Sequence, residues 1–172
     1  MEWIDLSIKN IIQNHKVSYR GMKHGSYMVW PVSKENQDSA GNKNRFTTKE
    51  HVFCDRYTGR HWYAGSSLLV RPRNWEEALY DVRRLNDIQK SGYSDWRLPN
   101  IRELESLVDD SRHSPALVKG FSPLRIRQTT GCWSSTTSVY EPQYAWVLYI
   151  EDSAIGVGFK AKADFHTLAV RG

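Results

Sequence analysis

The chain has 172 residues, a formal charge of +5, and seven Trp with nine Tyr. That length suits one domain with a short appendage and leaves room for a real core. Two cysteines exclude a multi-disulfide framework, no segment is apolar for long enough to span a membrane, and no dense Lys/Arg run marks a nucleic-acid arm.

The first segment, "MEWIDLSIKNIIQNHK", begins with acids and has no continuous apolar core, so it does not read as a signal peptide. A chain in the cytoplasm, on a virion, or exported by another route is expected, with reduced thiols. Trp3, Ile4, Ile8, Ile11 and Ile12 recur at helical spacing and predict an amphipathic helix over 2–14. Residues 1–26 are therefore read as an extension that could join a second copy or a partner subunit, and 27–172 as the domain proper. The polar stretch "SKENQDSAGNKNR", 33–45, reads as a loop.

"HVFCDRYTGRHWYAG" follows, with Asp55 and Gly59 flanking a tight turn, and predicts a β-hairpin. In "RNWEEALYDVRRLNDIQKSG", Asn74 and Glu77 make a capping box. Trp75, Ala78, Leu79, Val82, Leu85 and Ile88 line one helical face, and Gly92 lies where the helix would stop. A second capping box, Asn100 with Glu103, opens "NIRELESLVDD", whose apolar stripe is Ile101, Leu104, Leu107 and Val108. Between the helices, Pro99 holds Leu98 extended. Arg97 lies between two bulky apolar residues and needs a carboxylate, for which Asp95 or Glu103 could serve. Trp96, Arg97 and Pro99 thus read as a rigid structural joint rather than a catalytic loop.

After Gly120 the pattern turns to strands: "GCWSSTT", "YAWVLYI", "GVGFKAK" and "FHTLAVR". "AWVLYI" is apolar on both faces and should be central and buried, whereas "GFKAKADF" alternates and should be half exposed. A hairpin, two helices and then several strands predict an α+β fold, with two helices packed beside a twisted antiparallel sheet.

The segments "DRYTGRHW", "NWEEAL", "GYSDWRLPNIRELESLVD", "CWSSTT", "YAWVLYI" and the closing "AVR" occur in an order that resembles the Lcl C-terminal-like domain family of bacterial and phage proteins. They cover residues 45–172, and the tandem of W-R-L-P-x-x-x-E-L with the W-S-S-T block is specific. Trp133, which opens that block, is read as structural. The resemblance implies a C-type-lectin-like fold, also used by formylglycine-generating enzymes and by the variable proteins of diversity-generating retroelements, to which this chain is similar. It departs from the family at Gly59-Arg60-His61-Trp62, where T-G-L-x-W is common, and residues 1–26 match no part of it.

An enzyme of the formylglycine-generating kind would need a reactive cysteine pair for copper. Cys54 and Cys132 lie in no redox motif, and the six histidines do not cluster. "SSTTS", 134–138, has no glycine elbow for a serine nucleophile. "EPQ", 141–143, offers too few oxygens for calcium. No catalytic residue, cofactor or metal is expected. A binding surface remains, because in this fold the loops between the last strands carry ligand contacts. "SVYEPQY" and "KAKADFH" supply Tyr140, Gln143, Tyr144, Lys160, Lys162, Phe165 and His166, rigid aromatics mixed with adaptable polar groups. The ligand expected is a protein or a carbohydrate. The alternative is an adhesin-type module that grips acidic polysaccharide through Arg112, Lys119, Arg125 and Arg127, in a segment (111–140) without acids.

Overall fold

Asp55 organises the first hairpin. Its carboxylate accepts from the backbone N–H of Tyr57 and the hydroxyl of Thr58, and it forms a two-pronged ion pair with Arg45 at 2.6 and 2.9 Å. Backbone bonds from Gly59 N–H to Asp55 O and from Asp55 N–H to Arg60 O complete the turn, and β2 (Val52–Asp55) and β3 (His61–Tyr63) pair antiparallel with Cys54 opposite His61. The computed structural model describes residues 44–123 and 131–172. The helix expected over 2–14, nearly all of the loop 33–45, Arg125 and Arg127 lie outside the described residues.

A strand not foreseen, β1 (Phe46–Lys49), precedes the hairpin and pairs with β2. Its connection is Glu50-His51, both at positive φ, the geometry of a two-residue primed turn without the Asn-Gly that signals one. Both predicted capping boxes form. Asn74 opens α2 (Trp75–Asp87) and Asn100 opens α3 (Ile101–Glu105), each accepting from the backbone of the glutamate three residues on. A four-residue helix, α1 (Ser66–Leu69), comes before them. The buried stripe of α2 is narrower than its sequence implies: Ala78, Val82 and Leu85 are buried, whereas Leu79 and Ile88 face solvent. Ile88 has left the helix, and Gln89 after it is left-handed.

Among the described residues the strands form two antiparallel sheets rather than the single sheet expected. One runs β1-β2-β3-β7, closed by β7 (Ala169–Arg171). The other runs β4-β5-β6, from β4 (Gly131–Thr137), β5 (Tyr144–Tyr149) and β6 (Ile155–Phe159). The last strand caused the difference, because "AVR" returns to pair with β3 instead of extending the β4–β6 sheet. The architecture is α+β, with β5 central in its sheet as its apolar run predicts.

Among the described residues, two apolar clusters fill the interior. One gathers Trp62, Leu104, Leu107, Phe121, Leu148 and Val170; the other gathers Tyr63, Val82, Leu85, Trp96, Trp133 and Phe165. The W-R-L-P segment runs between the sheets and ties them. Trp96 is buried, and the Asn86 side-chain amide bonds both its backbone N–H (2.7 Å) and its carbonyl (2.8 Å), while its indole donates to Lys90 O. Arg97 exchanges two backbone bonds of 2.9 Å with Val170 of β7, and the Pro99 carbonyl accepts from Ser135 of β4 at 2.7 Å.

Candidate functional site

The exposed end of the β4–β5–β6 sheet is built by alternation. Along β6, Gly156 and Gly158 face the interior, where a Cβ on Gly158 would run into the rings of Phe165 and Trp133. Ile155, Val157 and Phe159 therefore share the opposite face. Register places Phe159 opposite Tyr144 and Val157 opposite Trp146. The Tyr144 and Phe159 rings meet at 5.3 Å, and Phe159 and Val157 remain exposed. The β4–β5 hairpin closes with Ser138 N–H donating to Tyr144 O and Tyr144 N–H to Glu141 O. Its tip projects Tyr140, which is 94% exposed, beside an exposed Gln143.

The structure divides the residues that the sequence grouped together. Tyr140, Gln143, Tyr144 and Lys162 lie on or beside this end, with Lys162 exposed. Lys160 turns to the other face, where its ammonium donates to Thr137 Oγ1 at 2.9 Å and lies 4.3 Å from the Trp75 ring. Phe165 packs into the core against Trp133 at 4.8 Å and is only 8% exposed. His166 is half-buried and held by its backbone, which donates to Gly131 O and accepts from Trp133 N–H. Burial first, and then the nearby Arg73 charge, push its imidazole pKa below the ordinary value. Phe159, Trp146 and Val157 were not singled out from the sequence, although the alternation I-G-V-G-F carries the signal once glycine is read as the inward residue.

Around the joint, electrostatics are strong and internal. Glu103 is 4% exposed and receives both Arg97 guanidinium nitrogens at 2.6 and 2.7 Å, Arg60 at 3.0 Å and the Asn100 N–H at 2.9 Å. Burial by itself would raise its pKa, but these hydrogen bonds and the two guanidinium charges hold it below the usual carboxylate value. Arg60, one of the polar pair standing where the family commonly has an apolar residue, thus has an internal partner. Its neighbour His61 bonds Arg171, which in turn pairs with Asp95 at 2.7 Å and stacks on Tyr93. Trp133 is fully buried and donates its indole N–H to Arg73 O.

Cys132 is wholly buried, and burial pushes its thiol up to about 12, so it stays protonated at neutral pH. Cys54 is half-buried, and both cysteines are free thiols. Of the alternative basic patch, Arg112 and Lys119 are described and exposed.

No curated protein matches the chain. The family model of the Lcl C-terminal domain matches residues 51–171, which begins at the first hairpin and includes the W-R-L-P joint, the W-S-S-T strand and the closing strand. This chain belongs to the Lcl C-terminal domain family.

Proposed function

We propose that the domain is a C-type-lectin-like module that binds a protein or carbohydrate ligand and performs no chemistry of its own. The observation that carries this reading is the aromatic end of the second sheet. Tyr140 stands almost fully in solvent at the tip of the hairpin that leads to the tilted Tyr144–Phe159 pair, which spans the β5–β6 ladder. Exposed aromatics on a fixed scaffold lose little entropy on binding, and they supply both area and a hydrogen-bonding edge. Gln143 and Lys162 flank them with adaptable polar groups. The protonated state of Cys132 argues against a thiolate at that position acting as nucleophile or copper ligand.

The setting we favour is a receptor-recognition protein of a phage or bacterium, diversified by a retroelement. A reverse-transcriptase gene and an adenine-mutagenised template repeat beside this gene would be the sign of it. A glycan and peptide array on the purified chain tests the binding reading. A specific hit that is lost on Tyr144→Ala and Phe159→Ala supports the assigned surface; a hit indifferent to both refutes it. The adhesin reading rests on the exposed Arg112 and Lys119 in the acid-free segment and predicts that sulfated or uronic polysaccharides dominate the array.

A further inference from the structure

Strand β6 ends its sheet, and its outer edge is open among the described residues. Two bonds fix which way its backbone points: Tyr149 N–H donates to Ala154 O, and Lys160 N–H donates to Gln143 O. In an antiparallel ladder the bonded pairs alternate. Gly156 and Gly158 therefore turn their backbone groups to β5, while Ile155, Val157 and Phe159 turn theirs outward. Of those outward groups only the Phe159 carbonyl has a partner among the described residues, the N–H of Lys162 in the following turn.

Natural edges are usually blunted by charge, proline or a bulge. Of the two outer strands of the other sheet, β1 carries an exposed Lys49 and β7 carries Arg171. β6 has no such device: I-G-V-G-F holds no charge and no proline, and its pairing with β5 shows no bulge. Its pattern is also symmetric about Val157, apolar-Gly-apolar-Gly-apolar. A two-fold axis at that residue sets Val157 opposite its own copy and Ile155 opposite Phe159 of the second copy, so apolar meets apolar on one face and glycine meets glycine on the other. These facing pairs are the ones whose N–H and C=O groups point outward, so the hydrogen bonds and the side chains select the same register.

Charge agrees with that register. Exposed Asp152 precedes β6 and exposed Lys162 follows it. Antiparallel self-pairing brings the acidic end of each copy to the basic end of the other, twice per dimer. An isologous contact of this kind closes on itself and does not propagate.

We propose that the chain forms a two-fold dimer by antiparallel pairing of β6 with β6 of a second copy, producing one continuous six-stranded sheet. Both Tyr144–Phe159 pairs then lie on the same face, with the two β5 strands about 14 Å apart, three strand spacings. A ligand with repeated units meets two identical aromatic surfaces there.

Sedimentation equilibrium of the full chain tests the proposal. The wild type is expected to shift with concentration from the 20.0 kDa of one chain to twice that mass. Val157→Lys faces solvent in the single chain, so it should fold with unchanged circular dichroism and melting temperature yet stay at 20.0 kDa. Lys162→Glu should weaken association about tenfold by setting like charges together, and adding Asp152→Lys should restore it. A wild type that stays monomeric at its highest soluble concentration overturns the proposal. So does a Val157→Lys chain that still dimerises, which would place the contact elsewhere, or a Lys162→Glu chain that associates as tightly as the wild type.

Discussion

Glu103 shows how one buried charge is kept satisfied. It holds the joint to the second capping box, and two guanidiniums share it. Arg97→Ala should cost about 1–2 kcal/mol in denaturant unfolding, because Arg60 and the Asn100 N–H remain on the carboxylate and Arg97 is itself half in solvent. Removing Arg60 as well leaves a buried carboxylate without a cation, and the double variant should lose about 3 kcal/mol. The pH dependence has a definite sign. Glu103 has a folded pKa below its ordinary 4.5, so its contribution is complete above that pH and is lost as pH falls through the lower folded value. Unfolding midpoints measured from pH 6 to pH 2 should drop for the wild type and drop less for Glu103→Gln. His166 acts in another window. Its folded pKa lies below 6.5, so the unfolded chain takes up the proton first, and stability falls as pH drops from 6.5 toward the folded value. His166→Gln should remove that part of the slope, and an unchanged profile would show that the imidazole is as easily protonated in the fold as out of it.

Among the elements, α2 and the W-R-L-P joint depend on one another through Asn86. Its side-chain amide bonds the N–H and carbonyl of Trp96 as a neighbouring strand would. Asn86→Ala leaves both groups unpaired beside a buried indole and should cost about 2–3 kcal/mol; a loss below about 0.5 kcal/mol would mean that solvent replaces the amide. Both capping boxes, the β2–β3 hairpin and the central position of β5 were legible in the sequence, because each is set by residues within four or five positions or by a continuous apolar run. The β1–β2 connection was not, since Glu50-His51 adopts a primed turn with neither glycine nor asparagine. Nor was the true stripe of α2. Leu79 and Ile88 fit the helical period, but what covers a helix is decided by the neighbouring strands, and these do not reach either residue. Asn86 left no local signal at all, since its partner lies ten residues away.

At the scale of the molecule, the two sheets and two core clusters explain why the candidate site was only half readable. Composition pointed to loops at this end of the sheet, but it could not tell which face each side chain takes, because that follows from strand register and from packing on the helix side. Register sends Phe159 outward beside Tyr144 and Lys160 to the helix side, while Phe165, bridged to Arg73, packs against Trp133. One sequence-based grouping thus divides into side chains on the exposed aromatic end and side chains of the core, and on the proposed reading the two parts should separate in experiment. Tyr140→Ala and Tyr144→Ala should each weaken ligand binding by about 2 kcal/mol, as truncated aromatic anchors do, while shifting unfolding free energy by less than about 1 kcal/mol. Phe165→Ala empties space between Trp133 and Tyr149 and should cost about 3–5 kcal/mol of stability, with binding affected only as far as the fold is. Salt gives a further discrimination. An aromatic surface binds with shallow dependence on ionic strength, whereas contact through exposed cations such as Arg112 and Lys119 is screened over about 8 Å at physiological salt and collapses. Titrations of wild type, Tyr144→Ala and Phe165→Ala at low and physiological salt therefore decide between the surfaces. If affinity falls steeply with salt and Tyr144→Ala binds as the wild type does, the ligand sits on the basic segment and not on the aromatic end of the sheet.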